Sequence, residues 1–317
     1  MTSLLSDELL VKDFPKLTVV MPVFNAGSFL AAALEGVLAQ SFKNFELLVH
    51  DDGSEDGSLE VLRDYATRDS RIIVSSGNNQ GVSAVSNRLV SKARGELIAR
   101  MDADDICLPE RFSRQVSYFE SHPDVVVLGG ACLLMDEFGR KISTTAPPRD
   151  HETIDEMHLR GLCAVDQPTV MFRKNAFLNV GGYDETYPTS EDLELWLRMA
   201  EIGRIENLSD VLLKYRIHSK SLSGAKQAEQ REYSLRACQK AWMRRGISDC
   251  SIEFEYRPWR MENTRASKLE FYSSYAWRGW KNGYRDTWRH YTFKVMKLAP
   301  FSMETWKLLV IGALRRP

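Results

Sequence analysis

Gly95-Glu-Leu-Ile-Ala-Arg-Met-Asp-Ala-Asp-Asp105 begins as a short apolar run and ends in a cluster of carboxylates. An apolar run of this length reads as a strand buried on both faces. Three similar units precede it. Leu17-Thr-Val-Val-Met-Pro-Val-Phe24 predicts a strand, and Asn25-Ala-Gly-Ser28 a turn with Ser28 as the helix cap. Leu30, Ala33, Leu34, Val37 and Leu38 then recur at helical spacing up to Gln40. Phe45 to His50 predicts a second strand running into Asp51-Asp-Gly-Ser54, and Asp56-Gly-Ser58 caps a helix carrying Leu59, Val61, Leu62 and Tyr65. Ile72 to Val74 is a third strand, and Asn87 to Ala93 lies in a third helix. The alternation β-α-β-α-β-α-β, with polar residues where each strand ends, predicts an α/β fold. Its sheet should be Rossmann-like, mostly parallel and flanked by helices, with the site at the strand C-termini.

The chain has 317 residues, 44% hydrophobic and 27% charged, enough for one large core and a smaller appendage. A formal net charge of −1 exerts no general pull on nucleic acid. The charge is uneven, however: residues 256–317 hold 13 Lys+Arg against 4 Asp+Glu, and five of the seven Trp. Cys107, Cys132, Cys163, Cys238 and Cys250 form no C-x-x-C pair, as suits structural thiols in a reducing compartment. Residues 1–16 form an N-terminal extension too charged for a signal-peptide core. No run approaches the roughly 20 apolar residues that span a bilayer. These features predict a cytoplasmic protein, soluble or peripheral on the cytoplasmic face of the inner membrane.

Four segments carry candidate chemistry. Asp102-Ala103-Asp104 sits where a strand leaves the sheet, so its carboxylates could hold a divalent cation against a diphosphate. A solvated acidic turn is the plainer reading of that triplet in isolation. Asp51 to Gly57 resembles the start of a calcium loop from Asp52, but the twelfth position is Arg63 and a strand precedes it, which excludes calcium. Asp52 is instead expected to accept hydrogen bonds from a base edge. Ser190-Glu191-Asp192 opens an amphipathic helix; its acids either cap that helix or offer a general base to a hydroxyl nucleophile. Tyr215-Arg-Ile-His-Ser-Lys-Ser221 gathers Arg216, His218 and Lys220, a set suited to a diphosphate and its metal.

In order along the chain stand Met-Pro-Val-Phe-Asn at 21–25, Asp-Asp-Gly-Ser-Glu-Asp-Gly at 51–57, Asn79-Gln-Gly81, Asn87, Gly95-Glu96 and Asp102–Asp105. Pro168-Thr-Val-Met-Phe-Arg173, Gly181-Gly-Tyr-Asp184, Glu191-Asp192 with Leu195-Trp-Leu-Arg198, and Tyr215-Arg-Ile-His218 follow. From about Leu17 to Ser223 the series resembles glycosyltransferase family 2, the inverting family with the GT-A fold. The resemblance implies transfer of a sugar from a nucleoside-diphosphate sugar, with a uridine diphosphate sugar expected, to an acceptor hydroxyl. It implies a glycan or lipid-linked saccharide acceptor, surface polysaccharide synthesis, and Mn²⁺ or Mg²⁺ as cofactor. Pro22, Phe24, Asn25, Asp51, Asp52, Ser54, Asn79, Gly81 and Asn87 would line the nucleoside side of the donor site. Asp102, Ala103 and Arg216 would serve its ribose and diphosphate, Asp104 and His218 the metal, and Asp192 would be the general base with Glu191 in support. Gln167 stands where relatives often have His, which places acceptor contacts in question.

A domain over residues 17–224 and a C-terminal helical region over 225–317 follow from the loss of strand signals near Gly224. In that region Trp277, Trp280, Tyr284, Trp288, Tyr291, Val295 and Leu298 recur at three- and four-residue steps, beside Arg278, Lys281, Arg285 and Arg289. An aromatic and basic face predicts contact with an anionic membrane; packing on the catalytic domain is the alternative. A phosphatase of the haloacid-dehalogenase type also uses D-x-D at a strand end, but Asp105-Ile106 replaces the small hydroxyl residue it needs. A silent nucleotide-sugar-binding module is the remaining rival, and the acids at 104 and 192 argue against it.

Overall fold

The computed structural model describes residues 14–218, 227–248, 251 and 264–314. Residues 1–13, Lys220, the boundary near Gly224, Cys250 and Trp259 lie outside them. The predicted alternation is present. Strands β1 (Leu17–Val23), β2 (Phe45–Asp51), β3 (Ile72–Ser76) and β4 (Leu97–Arg100) are joined by α1 (Leu30–Leu38), α2 (Ser58–Arg68) and α3 (Val82–Lys92). Ser28 does not cap α1: a 3-10 turn, Gly27–Phe29, leads into the helix, and Asp56 Oδ2 accepts from the Gly27 N–H instead (2.8 Å). After β4 come β5 (Ile106–Cys107), α4 (Arg111–Ser121), β6 (Val125–Asp136), β7 (Lys141–Thr144), α5 (His151–Leu159) and β8 (Met171–Arg173). Then follow α6 (Lys174–Asn179), α7 (Glu191–Met199), β9 (Arg204–Ile217), α8 (Gln227–Arg245), α9 (Arg265–Lys281), α10 (Arg285–Leu298) and α11 (Met303–Leu314).

One sheet of order β3-β2-β1-β4-β8-β6-β9-β5 crosses the molecule, with β7 beside β6. β3, β2, β1 and β4 pair in parallel, β8 is antiparallel to β4 and β6, and β9 runs parallel to β6. Burial explains the apolar runs. Val19 and Met21 face one core with Leu47, Val49 and Ala99, while Val20, Leu48 and Ile98 face another, so both sides of the sheet are covered. Because β8 is antiparallel, the C-terminal ends of β1, β2, β3, β4, β6 and β9 and the N-terminal end of β8 share one edge of the sheet. The segments that follow β2 and β4, and Arg216 to His218 at the end of β9, meet that edge.

The C-terminal helices do not present the aromatic face the sequence led us to expect. Gly283 lies at φ 75° and breaks the repeat into α9 and α10, which fold back on one another. A Cβ at Gly279 would stand 2.9 Å from the backbone N of Trp288, so only glycine permits this close crossing. Tyr275, Ala276, Tyr291 and Val295 are buried in the same core as the strands, with Trp277 and Trp288 packed beside them. Tyr291 donates to Asp136 Oδ2 (2.9 Å), Arg140 Nε donates to the same oxygen (2.8 Å), and Thr287 bonds the Lys141 carbonyl (2.6 Å). The aromatic side chains thus fasten the helices to the end of β6. Among the described residues, no helix is long and apolar enough to cross a membrane.

Candidate active site

At the ends of β1 and β2, backbone and side chains are laced into one platform. Asp52 Oδ1 accepts from Gln80 N (2.8 Å) and Oδ2 from Gly81 N (2.9 Å), holding the loop that contains Asn79. Gly53, at φ 82°, is pressed against that loop: a Cβ there would lie 3.1 Å from Asn79 N. Asp51 Oδ2 accepts from Ser54 N, Ser54 Oγ accepts from Asn25 N, and Asn25 Oδ1 accepts from Glu55 N. Asn25 itself sits in the left-handed region at φ 50°. Pro22, Phe24, Asn25, Asp51, Asp52, Ser54, Asn79 and Gly81 are therefore assembled together, with the Phe24 ring 54% exposed beside them. Asp52 spends one lone pair of each oxygen on backbone.

Asn87, expected on the nucleoside side of the donor site, is bonded to the loop at 183–185. Its Oδ1 accepts from Tyr183 N (2.9 Å) and its Nδ2 donates to the Tyr183 carbonyl and Glu185 Oε1 (both 3.0 Å). The amide is a clamp between α3 and the loop at 183–185. Asn87→Ala is expected to cost about 2–3 kcal/mol, three bonds at roughly 1 kcal/mol each. Thermal melts should show the loss; a donor-affinity loss at unchanged melting temperature would restore the nucleoside role.

The Asp102–Asp105 segment is pinned from beneath. Buried Arg111 donates through Nη2 to the Arg100 carbonyl (2.9 Å) and the Val170 carbonyl (3.2 Å). Arg100, also buried, bonds Asp102 Oδ1 through Nη1 (2.6 Å). The Asp102 side chain stays 31% exposed, as a carboxylate lining a recess would. Burial raises the Asp102 pKa, with Asp104 adding to the rise and Arg100 opposing it. Asp105 is the most hidden: it takes Arg216 N on Oδ1 (2.7 Å), and burial with its two neighbouring carboxylates pushes it well above the usual range. Ala103 is buried, and its small side chain lets the turn lie against the core.

β9 brings the last segment to the same place. Arg216 Nε donates to the Asp104 carbonyl (2.9 Å) and Nη1 to the Glu137 carbonyl (3.2 Å). His218 Nε2 lies 2.8 Å from Asp104 Oδ2. Phe29 supports both, with its ring centroid 5.1 Å from the His218 ring and 4.5 Å from Arg216 Cζ. Among the described residues no three His, Cys, Asp or Glu gather to hold a metal by themselves. The Asp104–His218 pair is nevertheless spaced as two adjacent ligands should be. Bonds of about 2.1 Å at right angles put neighbouring donors about 3 Å apart.

Glu191 and Asp192 approach from α7. Ser190, at φ 57°, turns the chain into that helix, and its hydroxyl lies 2.9 Å from Ser234 Oγ on α8. Asp192 Oδ1 accepts from Leu193 N (2.8 Å), and Oδ2 receives the Cys163 thiol (3.7 Å). Glu191 feels the charges of Asp192, Arg100 and Asp102, which ties the acid pair to the D-x-D strand end. Burial first, then Asp192, pushes Glu191 up to about 7; burial also raises Asp192. Such a pair takes up a proton as pH falls through 7 and gives it up above. If turnover needs Glu191 ionised beside Asp192, kcat/KM should fall on the acid side of about pH 7, and Glu191→Gln should abolish that limb. A profile flat from pH 5 to 8 would count against the pair.

Sequence reasoning passed over Arg100, Arg111, Phe29, Cys163 and Tyr183. Arg100 carried a signal, being the one charge inside an otherwise apolar strand. Tyr183 receives Gln167 Nε2 on its hydroxyl (3.3 Å) and feels Arg100, Glu191 and Asp192. Gln167 thereby stands among the acids.

An α/β sheet with acids, one His and buried arginines gathered at the strand C-termini is the architecture of a GT-A transferase. The chain belongs to glycosyltransferase family 2: the model of "Glycosyl transferase family 2" matches residues 18–181, and that of "Glycosyltransferase like family 2" matches residues 151–252. The O-antigen biosynthesis glycosyltransferase WbnJ of Escherichia coli is 32% identical over 226 residues, 69% of this chain and 87% of WbnJ. The amylovoran biosynthesis glycosyltransferase AmsE of Erwinia amylovora is 34% identical over 192 residues, 60% of this chain and 71% of AmsE. In fold the chain is similar to S. aureus TarS 1-349 in complex with UDP-GlcNAc, at TM-score 0.58 and 18% identity over 89% of this chain and 81% of that one. It is also similar to the mannosyltransferase PcManGT of Pyrobaculum calidifontis in complex with GDP-Man and Mn2+, at TM-score 0.56 and 16% identity over 95% and 80% of the two chains. The chain is a glycosyltransferase.

Proposed function

We propose that this transferase moves a hexosyl or N-acetylhexosaminyl group, with inversion, from a uridine diphosphate sugar to a hydroxyl of a glycan or lipid-linked saccharide. The observation that carries this reading is the Asp104–His218 contact that joins the ends of β4 and β9, with Arg100 bonded to Asp102 and its charge reaching Glu191. The platform of Asp52, Asn79 and Gly81 receives the nucleoside, and the exposed Phe24 ring offers it an apolar wall. Arg216 and His218 face the diphosphate.

Asp192 accepts the acceptor's hydroxyl proton as that oxygen bonds the anomeric carbon. The bond from this carbon to the diphosphate oxygen breaks on the opposite face, and the electron pair leaves with the nucleotide. Burial makes Asp192 a stronger base than a solvated Asp. The Cys163 thiol and Leu193 N–H fix the carboxylate's orientation. Asp104 and His218 would hold a Mn²⁺ or Mg²⁺ ion, which when bound neutralises charge on the diphosphate. The fold neighbours' UDP-GlcNAc and GDP-Man complexes support a nucleotide-sugar donor, and the second neighbour's Mn²⁺ supports the cation.

A thermal-shift series of uridine and guanosine diphosphate sugars, each with and without Mn²⁺, tests the donor class. Stabilisation by one nucleotide family, larger with the cation, is expected. Equal response to all nucleotides or to none would refute the reading. Donor hydrolysis without acceptor then separates an enzyme from a silent binding module.

A further inference from the structure

The solvent face of α11 is apolar. Met303 (73% exposed), Trp306 (56%) and Val310 (51%) recur along it with Lys307 beside them, while Thr305 and Leu308 point inward. Phe301, 92% exposed, stands just before the helix. α10 adds a stripe at four-residue steps, Arg285, Arg289, Phe293 and Lys297, all exposed, with Lys297 Nζ 4.5 Å from the Phe293 ring centroid. Five of the thirteen large hydrophobic side chains exposed among the described residues fall within residues 293–310. Such a concentration marks a surface that something covers.

We propose that this α10–α11 face docks on an anionic phospholipid surface. Phe301, Met303, Trp306 and Val310 would enter the headgroup region, with Arg289, Lys297 and Lys307 on phosphates. Charge selects the occupant. Asp286 is the only acid on α10, and Glu304 on α11 accepts from the Trp277 indole rather than offsetting the cations. A second copy seated on the same face would bring cations against cations, whereas aromatic and basic residues on one helix face suit a lipid interface. This is a different surface from the Trp277–Leu298 repeat, whose Tyr291 and Val295 are buried. Tyr291 bonds Asp136, and the preceding Met135 pairs with Arg216, so the helices are anchored at the end of β6, next to the strand whose Arg216 holds the Asp104 carbonyl. Lipid docking rests on exposure and charge alone; that it brings the enzyme to a lipid-linked acceptor rests on the transferase reading.

Flotation of the full-length chain with phosphatidylcholine vesicles, with and without about 30% phosphatidylglycerol, tests the proposal. Binding is expected only to the anionic vesicles at low salt, and about 0.5 M salt should release it. Lys297→Gln with Lys307→Gln should weaken binding about 25-fold, at roughly fivefold for each cation removed. Phe301→Ser with Trp306→Ser should weaken it at least about 10-fold while leaving the melting temperature and donor hydrolysis unchanged. Absence of wild-type flotation at low salt, or equal flotation by the serine variant, overturns the proposal. So does a dimer that the serine variant dissolves in a protein that ignores vesicles. Flotation without turnover on any donor would refute only the transferase reading, and turnover without flotation only the docking.

Discussion

Asp192→Asn is expected to lower kcat by about 10²–10⁴-fold, the range for losing a positioned general base, while the donor dissociation constant changes little. The substitution is nearly isosteric: the amide oxygen still accepts from Leu193 N, so the start of α7 keeps its shape. What disappears is the ability to take a proton. Single-turnover kinetics with donor pre-bound, beside a donor titration, separates the two quantities. Near-normal turnover would move the base elsewhere, with Glu191 first in line because burial and Asp192 hold its pKa near 7. Glu191→Gln should be the milder change, seen more in the pH profile than in the maximal rate.

Asp104→Ala should abolish the cation-dependent part of donor binding, with cation affinity falling at least about 100-fold. Asp104 Oδ2 is the atom His218 Nε2 faces at 2.8 Å, so the alanine variant removes one ligand and leaves the other without its partner. Asp104→Asn keeps an acceptor for His218 but loses the charge, and should fall between. Titrations with and without Mn²⁺ measure the effect. Identical curves for wild type and Asp104→Ala would end the metal assignment for this residue.

The parallel half of the sheet was legible because β1, β2 and β4 are buried on both faces and therefore mostly apolar. Their polar ends announced the edge where the site lies. β8 and β5 were not legible, being three and two residues long and held by pairing rather than by composition. The site's carboxylates could be read from their positions at strand and helix starts. Their supports could not: Arg111 lies on a helix 11 residues after the carbonyl it holds, and Phe29 serves residues nearly 190 positions away. The bonds of Asn87 to the 183–185 loop were not legible, because an Asn on α3 beside a nucleoside loop and one clamping a distant loop look alike in sequence. The aromatic repeat at 277–298 predicts one helical face, but Gly283 divides it between α9 and α10, and Tyr291 and Val295 are buried. The outward face of α11 was found only from exposure.

α8 begins three residues past the boundary set from composition, yet its Ala237, Cys238 and Ala241 pack with Tyr187, Leu193 and Leu197 around the start of α7. Ser234 meets the Ser190 hydroxyl at the turn that aims Glu191 and Asp192. Anyone exchanging C-terminal regions between relatives to redirect acceptor choice should therefore splice after Arg245, keeping α8 with its native partner. A chimera joined at residue 224 would inherit a foreign brace under its proton acceptor, and would be expected to hold nucleotide while transferring poorly.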